Sequence, residues 1–477
     1  MKTIILGCWI FLCTVWMIFP KTVWGISIEE EEKLSREFMA EINAHYEIIN
    51  DSVITGYVTR IGEKILSVVP PQPFQYHFHV LKEDSFNAFA GPGGQIFIYS
   101  GLFEALESED ELAGIFGHEI SHVVCRHISQ QIEQSKKSNI GTLAGVAAGV
   151  LLGATGAGAV AGTATAVGTL AAASSIGLVY SREHEMQADQ RGVDFLTQAG
   201  FNPNGLLTAL IKIRSRQWFG KDQVPTYMMT HPAVEDRIAY LSTWIEANAS
   251  TVNSLPKRSN VSFDWVHTRL LGMFGPVDAI TRLYQSDVNQ NPDNALSQYG
   301  YGLVLVRSGN RKSAIDHLRL ALAKRAFDPV ILTDLGETYF LDGRYDESLK
   351  TIQGALDISP DLPEGLYYSG RSLIELGKYQ EASRSLEYLV RTDPDFTDAL
   401  YYLGNAYESQ GNTADACYCL GKYYKFRGEY RNAVIQLQKA FELTTDPDKK
   451  SEIEALLKEI KKKQGVFGGE SEKKKHP

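Results

Sequence analysis

Apolar residues recur at helical spacing along most of the chain, and one stretch alternates instead. From Glu29 to Pro70 the apolar positions run through Ala40, Ile42 and Ile48 and then Val58, Ile61 and Ile65. That spacing predicts two amphipathic helices broken near Asn50-Asp51, the second ending before Pro70-Pro71. Phe74-Gln-Tyr-His-Phe-His-Val-Leu then alternates, which predicts a strand with Phe74, Tyr76, Phe78 and Val80 on one face. His77 and His79 share the opposite face, where a solvated sheet surface is expected rather than a metal pair. Gly91-Pro92-Gly93-Gly94 reads as a turn, and Gln95 to Tyr99 as a second strand that closes a hairpin and forms its exposed edge. Helical spacing returns at Leu112, Ile115, Phe116, Ile120 and Val123.

The second half changes rhythm. No charged residue stands between Lys137 and Arg182, and Gly141, Gly145, Gly149 and Gly153 recur every four positions. Such glycines put a smooth strip on one helix face, so residues 138–181 could be a tight helical pair, a membrane-inserting hairpin or a gate. The preferred expectation is a partly ordered helical hairpin near the site described below, with peripheral membrane contact open to it. Residues 247–260 are polar and predict a linker. Beyond them Gly302, Gly336, Gly370 and Gly404 are spaced by 34, as are Gly275, Gly309, Gly343, Gly377 and Gly411. Ala314, Ser348, Ala382 and Ala416 keep the same step. That period resembles tetratricopeptide repeats, paired antiparallel helices stacked into a superhelix, with about five units over 261–445. Gly428, Tyr430, Ala433 and Ala440 restart the pattern early, which implies compressed fourth and fifth units. A terminal helix and a disordered tail from about Lys461 complete 446–477.

At 477 residues two or more domains are expected, and 44% hydrophobic with 22% charged residues is the composition of a globular protein. Lys2, an apolar run from Ile4 to Phe19 and Val23-Trp24-Gly25 read as a secretory signal over 1–25. Without it the chain keeps 45 basic against 57 acidic residues, a balance that argues against a nucleic-acid partner. Cys8 and Cys13 leave with the signal. Cys125, Cys417 and Cys419 remain, and they need no disulfide framework.

His118-Glu119-Ile120-Ser121-His122 carries the chemistry. Residues four apart on a helix share a face, so two imidazoles converge on one point, half of a tetrahedral zinc site. Glu119, one step on, reaches a metal-bound water and suits a general base. A third ligand is expected from a later helix, and Glu185 in Tyr180-Ser-Arg-Glu-His-Glu-Met-Gln-Ala-Asp189 is the best candidate, with Glu183 as its rival. Asp189, one turn on, would orient a ligating histidine. His231 could donate to the developing oxyanion or, without substrate, occupy the open metal position, and Arg237 would reach the same neighbourhood.

His118-Glu-Ile-Ser-His122 with Ser181-Arg-x-x-Glu-x-x-Ala-Asp189 resembles family 48 of the zinc metallopeptidases, which includes heat-shock HtpX-like and prenyl-protein endopeptidases. Asn87-Ala-Phe-Ala-x-Pro-Gly-Gly and Thr230-His-Pro-Ala-Val-Glu-Asp-Arg237-Ile also resemble family landmarks. The similarity spans about residues 30–245. It implies that His118, His122 and Glu185 bind one zinc per chain and that Glu119 is the base. The expected architecture is an α+β peptidase domain over 26–246, mainly helical with a small sheet, followed by an all-α repeat superhelix. The exported, repeat-bearing, BepA-like branch implies a periplasmic endopeptidase acting on misassembled envelope proteins. In that reading the edge strand 95–99 aligns substrate, and the repeats recruit substrate or envelope assembly partners. The competing expectation is a non-catalytic chaperone or scaffold with a structural zinc.

Overall fold

The computed structural model describes residues 26–137, 180–218 and 226–472. The expected signal, most of the glycine-rich segment and the last five residues lie outside them. The chain divides into two compact units, Met1–His267 and Thr268–Pro477.

In the first unit, α1 (Ile28–His45) opens on a capping box made by Ser27 and Glu30, with three glutamates in its first turn. Its apolar stripe buries Leu34, Phe38 and Ile42. The break expected near Asn50-Asp51 is the start of α2 (Ser52–Leu66), where the Asp51 carboxylate accepts from Ile54 N at 3.0 Å. Three strands follow: β1 (His77–Leu81), β2 (Ala88–Ala90) and β3 (Gln95–Tyr99).

Their order is β1-β3-β2, with β3 parallel to β1 and antiparallel to β2. The strand expected at an exposed edge is therefore the central one. All five of its residues are buried, and its unbroken Ile-Phe-Ile-Tyr run is the mark of a strand covered on both faces. One face meets α1 through Phe38, Ile42, Phe89, Phe97 and Tyr99. His79 stands on that side too, half-buried, stacked on Phe97 at 4.8 Å and bonded to Gln95. The other face meets α2 and the helix that carries His118 and His122, where Phe78 packs on Phe116 at 5.3 Å.

The unit continues with α3 (Ser100–Ala105), α4 (Glu109–Val124), α5 (His127–Lys137), α6 (Arg182–Gln198), α7 (Asn204–Trp218), α8 (Thr226–Thr230), α9 (Val234–Ala247) and α10 (Ala249–Ser254). Helix α4 is buried on every side from Glu111 to Val123. Glycines let its neighbours approach: a Cβ on Gly117 would meet Leu196 at 3.0 Å, and one on Gly114 would meet the backbone of Leu206 at 2.5 Å. The stretch expected as a linker contains α10. Arg258 within it donates to Gly200 O, pairs with Glu109 at 3.0 Å and stacks on Phe201 at 4.1 Å. Polar composition alone does not distinguish such a tethered segment from a solvated one.

Helix α11 (Val261–Phe274) spans the division and pairs with α12 (Val277–Gln290). The further pairs are α13 (Ala295–Arg307) with α14 (Arg311–Lys324), and α15 (Pro329–Leu341) with α16 (Tyr345–Ile358). After them come α17 (Pro363–Glu375) with α18 (Tyr379–Thr392), α19 (Asp398–Ser409) with α20 (Thr413–Phe426), and α21 (Tyr430–Leu443) with α22 (Pro447–Glu472). The 34-residue period has two physical sources. A Cβ on Gly302, Gly336, Gly370 or Gly404 would collide with Leu318, Ile352, Leu386 or Leu420 of the paired helix. Gly309, Gly343, Gly377 and Gly411 take positive φ in the turns between paired helices.

Helices α11 to α21 fill 261–445, the span expected to hold about five units, and α22 follows them as the terminal helix. Gly404 faces Leu420 and Gly421 faces Leu437 in the same way, so α20 serves as the second helix of one pair and the first of the next. That half-step is the early restart seen in the sequence. Helix α22 also runs to Glu472, past Lys461 where disorder was expected. Among the described residues no helix is long and apolar enough to cross a membrane.

Candidate metal centre

Helix α4 turns His118 and His122 to one side, with ring centroids 4.6 Å apart and their Nε2 atoms 3.0 Å apart. Helix α6 starts at Ser181, whose hydroxyl accepts from His184 N, and its first turn carries Glu185 inward. Two backbone bonds stitch the remaining pieces together: Tyr180 N donates to Thr230 O, and Tyr227 N donates to Phe86 O beside β2. His231, just past α8, is thereby placed over the pair of histidines. His118, His122, Glu185 and His231 are all fully buried, and one ligand atom from each lies within 4.8 Å of the others.

The spacings test whether these donors fit an ion. Atoms about 2.0–2.1 Å from a tetrahedral metal stand about 3.3 Å from one another. Here Glu185 carboxylate oxygens lie 3.5 Å from His118 Nε2 and 3.4 Å from His122 Nε2. His231 Nδ1 lies 3.1 Å from Glu185 Oε1 and 3.4 Å from His118 Nε2. The four donors lie close enough to share one ion, and His231 is the fourth.

Polar partners stand behind the donors and orient their rings. Asp189 Oδ1 sits 2.8 Å from His118 Nδ1, so that nitrogen carries the proton and Nε2 turns inward. His231 Nε2 faces Ala88 O at 3.2 Å, and its Nδ1 faces Glu185 Oε1 at 3.1 Å. Arg237 grips Asp189 with two bonds of 2.8 Å and stands 2.7 Å from Glu185. It reaches the site because Ala233, at φ 60°, turns the chain sharply into α9.

Residues 54–245 match the peptidase family M48, and residues 302–363 and 369–420 match a tetratricopeptide repeat. The chain carries an M48 metallopeptidase domain joined to tetratricopeptide repeats. A "Beta-barrel assembly-enhancing protease" of Escherichia coli (strain K12) is 26% identical over 346 residues, covering 70% of this chain and 68% of that protein. "Mitochondrial metalloendopeptidase OMA1" of Schizosaccharomyces pombe is 26% identical over 227 residues, covering 46% and 62%. Among solved structures, "YrrB: a TPR protein with an unusual peptide-binding site" is 21% identical with a TM-score of 0.31, covering 40% of this chain and 95% of that one.

Within the M48 domain, Glu119 is fully buried and both its carboxylate oxygens are without a hydrogen-bond partner. Burial pushes its carboxyl above the ordinary value, although His231 and His118 oppose this. An acid left orphaned next to four convergent donors fits a site that receives a metal and a water, since a buried carboxylate otherwise needs partners. Burial raises Glu185 and Asp189 as well. His231 and Arg237 more than reverse this for Glu185, and Arg237 with His118 does so for Asp189, so both stay ionised. Burial holds His122 neutral.

His118 is the exception. Burial and Arg237 push its imidazolium down, but the bonds to Asp189 and Glu185 carry it up to about 9. Below pH 9 the metal-free site therefore holds one proton that a metal must displace. Zinc affinity is expected to rise with pH up to about 9, with about one proton released from His118 per ion at neutral pH, measurable by titration calorimetry in buffers of different ionisation enthalpy. Apo stability runs the other way. The raised histidine contributes fully below its unfolded value near 6.5 and loses that contribution as pH climbs through 9.

Of the residues singled out from sequence, Glu183 lies exposed and outside the cluster. Sequence reasoning missed His127, whose Nδ1 lies 2.9 Å from His122 Nδ1. It also missed Tyr180, stacked on His122 at 3.7 Å, and Tyr227, stacked on His231 at 4.3 Å. Tyr180 stood at the head of a recognised motif. His127 lies beyond the end of the metal helix, where no helical spacing points back at the site.

Proposed function

We propose that this protein is an exported, zinc-dependent endopeptidase that cleaves misfolded or misassembled envelope proteins in the periplasm, with the repeats recruiting substrate. The observation that carries the reading is the convergent set of His118, His122, Glu185 and His231 beside the carboxylate of Glu119, which has no hydrogen-bond partner. Two imidazoles and a carboxylate in that geometry suit zinc. When bound, zinc polarises a peptide carbonyl and acidifies a water. Glu119 takes the proton from the attacking water and hands it to the leaving amine, and its raised affinity for a proton suits both steps. Asp189 and Arg237 hold His118 in its ligating tautomer and keep Glu185 ionised.

Substrate alignment passes from β3 to the outer edge of β2. Asn87 O accepts from Tyr99 N, so the neighbouring Ala88 and Ala90 turn their N–H and C=O groups away from β3. The Ala88 carbonyl meets His231 on that side. An extended peptide adding to this edge competes for the acceptor that His231 holds. His231 is read as a cap: leaving its corner frees a metal position and the Ala88 carbonyl together.

A row of rings supports recruitment by the repeats. Phe340 meets Tyr368, Tyr367 meets Tyr402, and Tyr401 meets Tyr423, with centroids 5.4–5.6 Å apart, across α15, α17, α19 and α20. Arg371 lies over Phe340 at 4.3 Å and Tyr402 at 4.7 Å. Partly exposed aromatic rows of this kind suit unfolded polypeptide. The periplasmic setting rests on the expected signal at 1–25, and the class of substrate on the β-barrel assembly named for the E. coli relative.

The test uses zinc-loaded protein and unfolded casein, comparing wild type, His231→Ala and a chelator-treated sample. Cleavage that chelation stops and that His231→Ala speeds by about tenfold supports a capped peptidase. A His231→Ala protein slower than wild type would make His231 a participant in the reaction instead. No cleavage by either protein would sink the peptidase reading.

A further inference from the structure

His127 is fully buried behind the metal site, yet it belongs to neither the donor set nor the Asp189–Arg237 pair. Helix α4 ends at Val124, Arg126 takes φ 56°, and α5 begins at His127. That left-handed corner turns the chain so that His127 faces back toward the helix it has just left. Arg126 is held in this costly conformation by bonds to Ile26 O at 2.9 Å and to the buried carboxylate of Glu31 at 2.8 Å. Ser129 also donates to Glu31. The corner is tied to the start of the described chain by three bonds, more than a plain helix break requires.

A metal on His122 Nε2 selects one set of protons around His127. For His122 Nε2 to face a metal, His122 must carry its proton on Nδ1. The atom opposite, 2.9 Å away, is His127 Nδ1, which must then be the acceptor. His127 keeps its own proton on Nε2, and Gln187 Oε1 lies 2.9 Å from that nitrogen, ready to accept. His184 stacks on the His127 ring at 4.2 Å and fixes its plane. Gln187 stands on the same helix as Glu185, so the chain from His122 through His127 to Gln187 ties the second ligand to the helix of the third.

We propose that His127 is a positioning residue of the metal centre: its Nδ1 accepts the His122 Nδ1–H and so aims His122 Nε2 at the ion. This rests on the metal-centre reading above. Asp189 does the same for His118 with a negative charge. His127 does it with a neutral lone pair, which orients the ligand without adding a further anion to a site that already holds Glu119, Glu185 and Asp189.

The test measures zinc affinity of the full chain by competition with a chromophoric chelator, and thermal stability of the metal-free forms. His127→Phe keeps a ring against His184 but removes the acceptor, so zinc should bind about 10–100-fold more weakly. His127→Asn places an amide oxygen near the position of Nδ1 and should recover most of that loss. Wild-type affinity in His127→Phe, or an Asn variant as weak as the Phe variant, would overturn the proposal. Equal zinc binding by wild type and His122→Ala would instead overturn the metal centre itself. Should His127→Phe fail to fold, nitrogen NMR of ¹⁵N-histidine-labelled, zinc-loaded wild type decides: a bare Nδ1 on His127 supports the assignment, and a protonated Nδ1 refutes it.

Discussion

Glu119→Gln is expected to lower peptide hydrolysis by about 10²–10⁴-fold while leaving zinc content and affinity close to wild type. The substitution keeps the shape of a side chain whose two terminal atoms touch no hydrogen-bond partner in the folded protein. It removes only the ability to take up and return a proton. Both oxygens are buried without a hydrogen bond, and His231 Nε2 stands 3.6 Å from Oε1, so an uncharged amide costs the fold no hydrogen bond and the apo protein should be about as stable as wild type. A structural zinc in a scaffold would have no use for this carboxylate. Single-turnover cleavage of casein alongside zinc analysis separates the two cases. Undiminished hydrolysis by a zinc-loaded Glu119→Gln protein would remove Glu119 from the mechanism.

Arg237→Leu is expected to destabilise the metal-free protein by about 3–5 kcal/mol, since it strands two buried carboxylates. Arg237 is 3% exposed, bonds both oxygens of Asp189 and lies 2.7 Å from Glu185. For a domain of this size the melting temperature should fall by about 6–20 °C. Two controls identify the cause. Excess zinc should shrink the deficit, because the ion compensates Glu185 when it binds the folded form. Acidification should shrink it as well. In the wild type the acids held down by their partners contribute above the unfolded carboxylate value near 4 and lose that contribution as pH falls, so a variant lacking the partner has less left to lose. Arg237→Lys should fall between the two, having the charge without the two-pronged grip. An unchanged melting temperature in Arg237→Leu would mean the network does not bear on folding.

Much of the molecule was legible in the sequence because its signals are local. The pairing of His118 with His122 follows from helix periodicity, and the break at Asp51 from a capping carboxylate acting three residues ahead. The repeat period follows from small residues that recur wherever two helices touch. In each case cause and effect lie within one or two turns of the same chain. The same locality explains the misreadings. The early restart at Gly428 reads as compression because α20 packs against a helix on each side, and a period read along the chain assigns each helix to one pair.

What the tertiary structure alone decided is how distant segments meet. The run Gln95–Tyr99 has the composition of a strand, but whether it lies at the edge or the centre depends on which strands flank it. Here β1 and β2 take both sides, so the strand whose outer side meets His231 is β2. The choice of Glu185 over Glu183 was decided by which side of α6 packs on α4. The closing of the fourth corner by His231 was decided by Tyr180 and Thr230 joining across a long stretch of chain. The sequence by itself determined which residues can bind a metal, move a proton and repeat in pairs, because those properties belong to side chains and to helical spacing. The fold determined which of them face one another, because burial and close approach are properties of packed surfaces that no single stretch of chain possesses.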